Sequence, residues 1–277
     1  MNELEVQILG MSRSGNHAIS NWIYQQSENP KVVLNCAEGK TNPFLTCRPL
    51  GSGRPWRAEP GIDLEAEGQG RLTRKAALIH TYEDSWFGHA FSTQLNQEHD
   101  RWVGPSRRRV RLLVLRDPFN LFASRIRMGC DLSSHVAQRM WKQHARAALG
   151  GGSARPAGLR VVLYNRWAVD RTYRRDLAHA LGIAFTDQGA NEVPDCAGGS
   201  SFDGTAFDGR PEHMALAGRW RRYADAPDFW RIFDEETLAM SERLFGEASF
   251  AGATEVVEAL AFARRSPEPP EGTALAA

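Results

Sequence analysis

Five short apolar runs occur along the chain, with stretches of helical apolar spacing between them. The runs, rich in valine, leucine and isoleucine, cover residues 7–9, 31–36, 76–79, 110–115 and 159–164. The helical stretches cover residues 18–25, 133–149 and 167–181. Apolar strands that alternate with amphipathic helices are typical of a parallel sheet buried on both faces. The pattern therefore predicts an α/β protein, a single three-layer domain with a central parallel sheet and helices on both faces.

The remaining segments are less regular. Residues 38–74 are rich in glycine, proline and polar residues and show no sustained period. Two interpretations of this segment stay open, a substrate-side lid and a flexible insertion. Two further helices are predicted at 213–223 and 229–245, and the proline-rich end is typical of disorder. The predicted organisation is one domain over residues 1–264 and a disordered tail over residues 265–277.

The charge balance and the cysteines limit the classes of partner and compartment. The 277 residues include 34 Lys plus Arg and 33 Asp plus Glu, for a net charge of +1, which gives no reason to expect nucleic acid or a membrane surface as the main partner. The 4 cysteines never adopt a C-x-x-C spacing, which argues against a disulfide framework and a zinc site. No apolar run is long enough to cross a membrane. We therefore expect a soluble, cytoplasmic protein without a transmembrane segment.

The first apolar run leads into a strand-loop-helix pattern that contains Gly10 and Gly15 at the spacing of a phosphate-binding loop. Glycine lets the backbone approach an anion, and the amides of the first helical turn stabilise a phosphate there. Arg13 adds a positive charge inside the loop. A nucleotide triphosphatase would have Lys followed by Ser or Thr where this chain has Asn16 and His17. The loop therefore predicts a phosphate site that lacks the usual cation for a triphosphate.

A second candidate phosphate element follows the fourth run. Arg116 stands at the predicted strand end, and Asp117 and Pro118 are typical of a helix start. Ser124 lies two turns along that helix and would face the same ligand volume. A guanidinium fork together with a hydroxyl suits a phosphate group.

The third run, residues 76–79, delivers His80 and then Glu83 to the carboxyl end of a predicted strand. Open α/β sheets bind their ligands at that end. Imidazole titrates near neutral pH, so His80 is a candidate general base there.

Taken in order, these features resemble the PAPS-dependent sulfotransferases, which hold 3'-phosphoadenosine 5'-phosphosulfate (PAPS) through two phosphate-binding elements. The similarity runs from about Val6 to Gly246. The loop is similar to the family's 5'-phosphosulfate loop, and Arg116 with Ser124 is similar to its 3'-phosphate element. The cofactor-binding residues that the resemblance implies are Arg13, Ser14, Gly15, Asn16, His17, Ala18, Arg116, Ser124, Tyr164, Ser201 and Arg210.

Some of these assignments rest on likeness and others on departures from the family pattern. Tyr164 is similar to the family's tyrosine that approaches the adenine, and residues 218–223 resemble its closing Gly-x-Trp segment. Asn16 and His17 replace hydroxyl residues that usually contact the 5'-phosphate. No Arg-Lys-Gly group precedes residue 218, which leaves Ser201 and Arg210 as candidates for the late 3'-phosphate contact.

The resemblance implies transfer of a sulfuryl group from PAPS to a hydroxyl or amine of a small-molecule or carbohydrate acceptor. His80 would be the general base, with Glu83 as the alternative base. Arg13 would stabilise the leaving phosphate, and no metal is expected. Two other interpretations stay open: a small-molecule kinase of the phosphate-loop class, which shares the sheet and the loop, and a nucleotide-binding protein without catalysis.

Overall fold

Six strands form one sheet in the computed structural model, which describes residues 2–35, 41–47, 57–58, 61–130, 135–151, 156–195, 198–246 and 253–265. In chain order the strands are β1 (Asn2–Gly10), β2 (Lys31–Leu34), β3 (Arg57–Ala58), β4 (Lys75–Glu83), β5 (Ser106–Leu115) and β6 (Leu159–Leu163). They lie side by side in the order β3-β2-β4-β1-β5-β6. All pairings are parallel except that of the short edge strand β3 with β2. The predicted central parallel sheet is confirmed.

Twelve α-helices accompany these strands within the described ranges. They are α1 (Asn16–Gln26), α2 (Pro43–Thr46), α3 (Leu64–Gly68), α4 (Phe87–Ala90), α5 (Thr93–Val103), α6 (Pro118–Arg127), α7 (Val136–Ala148), α8 (Tyr164–Val169), α9 (Arg171–Leu181), α10 (Pro227–Trp230), α11 (Glu235–Phe245) and α12 (Ala253–Arg265). Short 3-10 turns lie at Pro211–His213 and Arg219–Tyr223. None of the helices in the described ranges has the length and apolar character needed to cross a membrane.

The strand side chains alternate between two apolar layers, because successive residues of a strand point to opposite faces. Ile8 of β1 packs with Ile19 and Trp22 of α1 and with residues of α8 and α9. Leu9 packs on the other face with residues of α6, α7, α11 and α12. The predicted arrangement of helices on both faces of the sheet is therefore confirmed.

Several predicted boundaries are wrong. One helix was predicted over residues 167–181, but Asp170 adopts an extended conformation, and its side chain accepts a hydrogen bond from Tyr173 N and caps α9. The predicted helices at 213–223 and 229–245 are 3-10 turns followed by the separate helices α10 and α11. Arg265 ends α12 rather than beginning a tail, and the remainder of the predicted tail lies outside the described residues.

The described residues of the irregular segment 38–74 pack beside the β2 edge of the sheet. Phe44 and Ile62 join Val32, Leu34 and Leu78 in a small apolar cluster. Buried in the same region, the Nζ of Lys75 lies 2.6 Å from a carboxylate oxygen of Glu67. These residues therefore have a structural role, and the rest of the segment lies outside the described ranges.

Candidate active site

A cavity of about 720 Å³ opens at the carboxyl edge of the sheet. The phosphate loop, the ends of β4 and β5, helix α8 and the segment before Trp220 form its walls. The charged and polar residues on these walls include Arg13, Asn16, His17, Glu83, Arg116 and Arg219. Most of the residues predicted from the loop and from the end of β5 thus meet at one cavity.

The loop between β1 and α1 is shaped by two residues with left-handed backbone conformations, Arg13 at φ 73° and Gly15 at φ 98°. A Cβ on Gly15 would lie 2.2 Å from the ring of Tyr164, so both the conformation and the space require glycine. Ser14 is buried, and its N–H donates to Met11 O at 3.0 Å. The predicted loop residues that line the cavity are Arg13, Gly15, Asn16, His17 and Ala18.

The amino end of α1 suits an anion. Its first turn contains no acidic residue, and no side chain of the described residues caps it. Unsatisfied amides and the helix dipole at such an end stabilise negative charge. Arg13 places a guanidinium beside this end, and its Nη2 donates to Gly199 O at 2.9 Å.

The ion pair between Asp84 and Arg125 holds the phosphate loop in place. The Oδ1 of Asp84, the residue after β4, accepts hydrogen bonds from Ser12 N at 3.1 Å and from Arg125 Nη1 at 2.7 Å. The same guanidinium nitrogen donates to Ser12 O at 3.2 Å. Asp84 and Arg125 therefore bind both the backbone N–H and the backbone carbonyl of Ser12. Sequence analysis missed this pair because β4 and α6 are far apart along the chain.

Two buried arginines share one serine hydroxyl. Arg116 Nη1 lies 3.3 Å from Ser124 Oγ, and Arg219 Nη1 lies 3.1 Å from the same oxygen. The Ser124 hydroxyl donates its own proton to Asn120 O at 2.8 Å, so its lone pairs face the two guanidinium groups. Ser124 itself is fully buried and orients the arginines that line the cavity.

The backbone holds both guanidinium groups in place. Arg116 also donates to Arg13 O at 3.2 Å and to Leu216 O at 2.8 Å. The Oδ1 of Asn120 accepts from Arg219 N at 2.7 Å, which fastens the turn of Arg219 to α6. These contacts bring the phosphate loop, α6 and the 3-10 turn Arg219–Tyr223 together around the Ser124 hydroxyl.

Three guanidinium groups make this point electropositive, and burial and mutual repulsion disfavour their charged forms. Burial is the main reason that the pKa values of Arg13, Arg116 and Arg219 are lowered. The pKa of Arg219 falls to about 9, and the neighbouring charge of Arg116 is the second cause. Asp203 lies 3.4 Å from Arg219, and burial raises the pKa of Asp117 beside Arg116. A bound anion would stabilise all three cations.

Tyr164 is the first residue of α8, not the last residue of its strand as predicted. Its ring lies against Gly15, stacks on Trp167 with 5.9 Å between ring centroids, and has the guanidinium carbon of Arg116 5.5 Å from its centroid. The tyrosine therefore lines the cavity between the two phosphate elements. Its contact with adenine stays a prediction.

Glu83 is the last residue of β4 and lies beside Gly10 of β1 in the sheet. Its Oε1 accepts a hydrogen bond from Asn16 Nδ2 at 3.1 Å and lies 3.6 Å from His17 Nε2. The charge of Glu83 also acts on Arg13. A carboxylate thus stands on the cavity wall next to the phosphate loop.

The predicted position of His80 at a strand end is wrong, because β4 continues for three residues beyond it. His80 is 0% exposed and lies inside the sheet, and its Nε2 lies 2.9 Å from Glu5 Oε1. It does not line the cavity. Its ring stacks on His99 with centroids 4.3 Å apart. His80 is therefore not placed to act as the base.

Glu5, His80 and His99 bring one possible metal-ligating atom each within 4.8 Å of the others. Glu5, however, already accepts hydrogen bonds from the side chains of Gln7 and Ser106 as well as facing His80. The two imidazole rings are parallel to within 2°, so their nitrogen lone pairs do not converge on one point. This geometry favours a buried hydrogen-bonded network.

The two residues predicted for the late 3'-phosphate contact do not reach the cavity. Arg210 is exposed, and Ser201 lies beside the cavity wall without lining it. Ser200 and Arg219 stand there instead, with Arg219 Nη2 donating to Ser200 Oγ at 2.7 Å. The sequence held a signal for Arg219, since it is the middle residue of the Gly-x-Trp-like segment.

Comparisons with known proteins find no matching family model and no matching curated protein. Among solved structures, the chain is similar to the sulfotransferase domain from the Synechococcus PCC 7002 olefin synthase, with 16% identity, a TM-score of 0.49, and coverage of 87% of this chain and 94% of that one.

Two other solved structures are also similar to the chain. The sulfotransferase domain from the curacin biosynthetic pathway shows 12% identity and a TM-score of 0.45 over 86% of this chain and 96% of that one. Mouse sulfotransferase SULT7A1, complexed with PAP, shows 11% identity and a TM-score of 0.44 over 93% of this chain and 90% of that one. All three of these structures are described as sulfotransferases. At these scores the likeness concerns the fold and decides nothing about donor, acceptor or single residues.

Proposed function

We propose that this protein is a sulfotransferase that takes a sulfuryl group from PAPS and transfers it to a hydroxyl or amine of a small-molecule or carbohydrate acceptor. The observation that carries the proposal is the pair of buried guanidinium groups, Arg116 and Arg219, on one serine oxygen beside a phosphate loop. Two anion positions next to each other suit a nucleotide with phosphate at both the 5' and the 3' positions.

The residues present fit such a nucleotide. The loop, Arg13 and the amino end of α1 would hold the 5' group, and Arg116 and Arg219 the 3'-phosphate. Arg116 and Arg219 both line the cavity and are buried, which suits recognition of a phosphate by guanidinium groups. Tyr164 lies between the two positions.

Asn16 makes a kinase less suitable for this loop. Its Nδ2 donates to Gly10 O at 3.3 Å and to Met11 O at 3.2 Å, so the side chain folds back on the loop backbone. A lysine at this position would reach the β- and γ-phosphates of a nucleoside triphosphate. The loop thus offers a phosphate cradle without that cation.

PAPS supplies an activated sulfuryl group whose leaving group is a phosphate. The protein's share is to remove a proton from the acceptor and to stabilise negative charge that grows on the departing phosphate oxygen. Glu83, on the cavity wall beside the loop, is the base that we propose, because its carboxylate reaches the cavity and His80 does not. Arg13 and the loop amides stabilise the leaving phosphate.

Calorimetry with PAP, the product nucleotide, tests the donor. We expect binding without magnesium and weaker binding of ATP. Tighter binding of ATP with magnesium would favour the kinase. Incubation with labelled PAPS and a panel of carbohydrates, phenols and lipids then tests the reaction. PAP binding without turnover of any acceptor would favour a nucleotide-binding protein without catalysis.

Two variants separate the candidate bases. Glu83→Gln is expected to abolish most turnover and to keep PAP affinity within about twofold, because general-base catalysis contributes roughly 10²–10⁴-fold in rate. His80→Asn is expected to lower the melting temperature, because it breaks the buried contact with Glu5, and to leave turnover of the folded fraction close to that of wild type. The opposite pattern would return the role of base to His80.

A further inference from the structure

The turn at residues 199–204 contacts arginines at both anion positions of the cavity. Two backbone hydrogen bonds of 2.9 Å, between its second and last residues, close the turn. Gly199 O accepts a hydrogen bond from Arg13 Nη2 at 2.9 Å, and Ser200 Oγ accepts one from Arg219 Nη2 at 2.7 Å. One short segment therefore binds the guanidinium groups proposed for the 5' group and for the 3'-phosphate.

The carboxylate of Asp203 fixes the direction of the Ser200 hydroxyl. Ser200 Oγ donates its proton to Asp203 Oδ2 at 2.9 Å, and the same carboxylate oxygen lies 3.4 Å from Arg219 Nη2. A hydroxyl has one proton and two lone pairs, so the lone pairs of Ser200 are left for the arginine. Asp203 thus acts on Arg219 both directly and through Ser200.

These contacts hold both terminal nitrogens of the Arg219 side chain. Nη1 donates to Ser124 Oγ at 3.1 Å from one side, and Nη2 donates to Ser200 Oγ from the other. The guanidinium carbon lies 5.2 Å from the centroid of the Phe202 ring. Arg219 and Ser200 line the cavity and Asp203 does not, so the carboxylate holds the arginine from outside the proposed phosphate position.

We propose that Ser200 and Asp203 are positioning residues that orient Arg219 toward the 3'-phosphate, so that the site distinguishes a nucleoside 3',5'-bisphosphate from a nucleoside 5'-phosphate. The inference rests on the proposed function. A guanidinium binds phosphate best when its planar fork is already oriented, because less side-chain freedom is then lost on binding. A guanidinium that rotates freely keeps its charge and loses this directed contact.

The negative charge of Asp203 has a separate effect that the variants must resolve. Burial is the main cause that lowers the pKa of Arg219, and the charge of Asp203 acts in the opposite direction. Removing this charge alone would favour a bound phosphate, whereas removing the hydrogen-bond acceptor would release Ser200 and Arg219. Asp203→Asn removes the charge and keeps an acceptor oxygen, and Asp203→Ala removes both.

Ser200→Ala tests the same contact from its other end, because it removes the oxygen that binds Arg219 Nη2. Either folded alanine variant, as judged by its melting temperature, therefore decides the question. The double variant Ser200→Ala/Asp203→Ala tests whether the two side chains act as a unit. Asp225→Ala, which removes an exposed carboxylate outside the cavity lining, is the matched control.

The first measurement is calorimetry with PAP and with adenosine 5'-phosphate, which lacks the 3'-phosphate. We expect Asp203→Ala and Ser200→Ala each to lower the ratio of the two affinities at least threefold and to keep the affinity for adenosine 5'-phosphate within twofold. Asp203→Asn should keep at least half of the wild-type ratio, and Asp225→Ala should leave it unchanged. The double variant should lose no more than twofold beyond either single variant, because the two residues hold one arginine.

Four results would overturn the inference: a smaller change of the ratio in the alanine variants, equal losses for both nucleotides, a rise of the ratio in Asp203→Asn and Asp203→Ala alike, or losses that multiply in the double variant. Equal losses would indicate a general effect on the fold. A common rise would show that Asp203 acts only through its charge.

The second measurement needs no nucleotide. Nitrogen-15 NMR of the Arg219 guanidinium, assigned with Arg219→Gln, reports how fast its two terminal nitrogens exchange by rotation. We expect this exchange to be at least threefold faster in Asp203→Ala and Ser200→Ala than in wild type and Asp225→Ala, and unchanged rates would overturn the inference. If wild type binds PAP no more tightly than adenosine 5'-phosphate, the proposed 3'-phosphate site fails, while the NMR rates still decide whether Ser200 and Asp203 hold Arg219.

Discussion

Replacing Arg219 by Gln is expected to weaken PAP binding without destabilising the unliganded protein. The side chain is 6% exposed, and burial together with the charge of Arg116 lowers its pKa from 12.5 to about 9. At 1.36 kcal/mol per pKa unit, keeping this guanidinium charged costs the free protein at most about 5 kcal/mol near neutral pH. Gln removes the charge and keeps a polar side chain near Ser124. The unliganded variant should therefore melt at or above the temperature of wild type.

PAP binding should respond in the opposite direction. A charge-assisted hydrogen bond to the 3'-phosphate is worth roughly 1.5–3 kcal/mol, so PAP should bind about 10- to 150-fold more weakly to Arg219→Gln. Calorimetry gives the affinity, and thermal melts with and without PAP give the stability. At a PAP concentration near 100 times the wild-type Kd, the ligand adds about 2.7 kcal/mol to wild type and much less to the variant.

Arg222→Gln is the matched control, because Arg222 belongs to the same turn and is exposed. It should change neither measurement. Two results would refute the reasoning about Arg219. PAP affinity within twofold of wild type would remove Arg219 from the anion site. A clearly lower melting temperature without PAP would show that the guanidinium stabilises the fold, contrary to the burial and repulsion that lower its pKa.

Three further predictions concern the loop and the buried network. Arg13→Ala should lower turnover more than PAP affinity, because charge on the leaving oxygen is larger in the transition state; equal losses would make Arg13 a plain binding residue. Gly15→Ala should cost about 1–3 kcal/mol in urea unfolding and weaken PAP binding, since its Cβ would lie 2.2 Å from Tyr164 and its φ is 98°. Burial alone would raise the pKa of Glu5, but the hydrogen bonds and charges of His80 and Arg109 together outweigh it and lower that pKa below 4.5. This stability is present above about pH 4.5 and lost as pH falls further, so Glu5→Gln should flatten the acid side of the stability profile, and parallel profiles would contradict the assignment.

The sheet and the two phosphate elements could be predicted because their signals are local. Each buried strand is a short apolar run, and the glycine spacing of the loop and the interval from Arg116 to Ser124 are readable over a few residues. The helix start at Asp117 and Pro118 is another local signal, and in the structure the Asp117 side chain caps α6 by accepting a hydrogen bond from Asn120 N.

The position of His80 could not be predicted, because the end of β4 is set by distant partners. Residues 80–83 include polar side chains and so resemble a loop in the sequence. In the fold, Gln7 of β1 pairs beside His80, Glu5 of the same strand lies 2.9 Å from its Nε2, and His99 of α5 stacks on its ring. Polar residues satisfied in this way extend a buried strand beyond its apolar run.

Arg219, the residue proposed for the late 3'-phosphate contact, could not be predicted for the same reason, because its partners are distant along the chain. Arg219 is 95 residues from Ser124 in the chain, and the Gly-x-Trp-like segment that contains Arg219 does not by itself indicate burial beside a second arginine. The resemblance directed attention to Ser201 and Arg210, which precede the Gly-x-Trp-like segment. Arg219, inside that segment, reaches the site because Asn120 Oδ1 accepts hydrogen bonds from the backbone N–H groups of Arg219 and Trp220.

The loop and the proposed base form one structural unit, and the glycine at position 10 shows why. A Cβ on Gly10 would lie 2.2 Å from Asn16 Oδ1, so the glycine makes room for the inward-facing amide. That amide donates to Gly10 O, to Met11 O and to Glu83. A lysine in place of Asn16 would need to leave this space, and Glu83 would lose its neutral donor. At the position of the triphosphate lysine, this chain therefore has an amide that bonds both the loop backbone and the carboxylate at the end of β4.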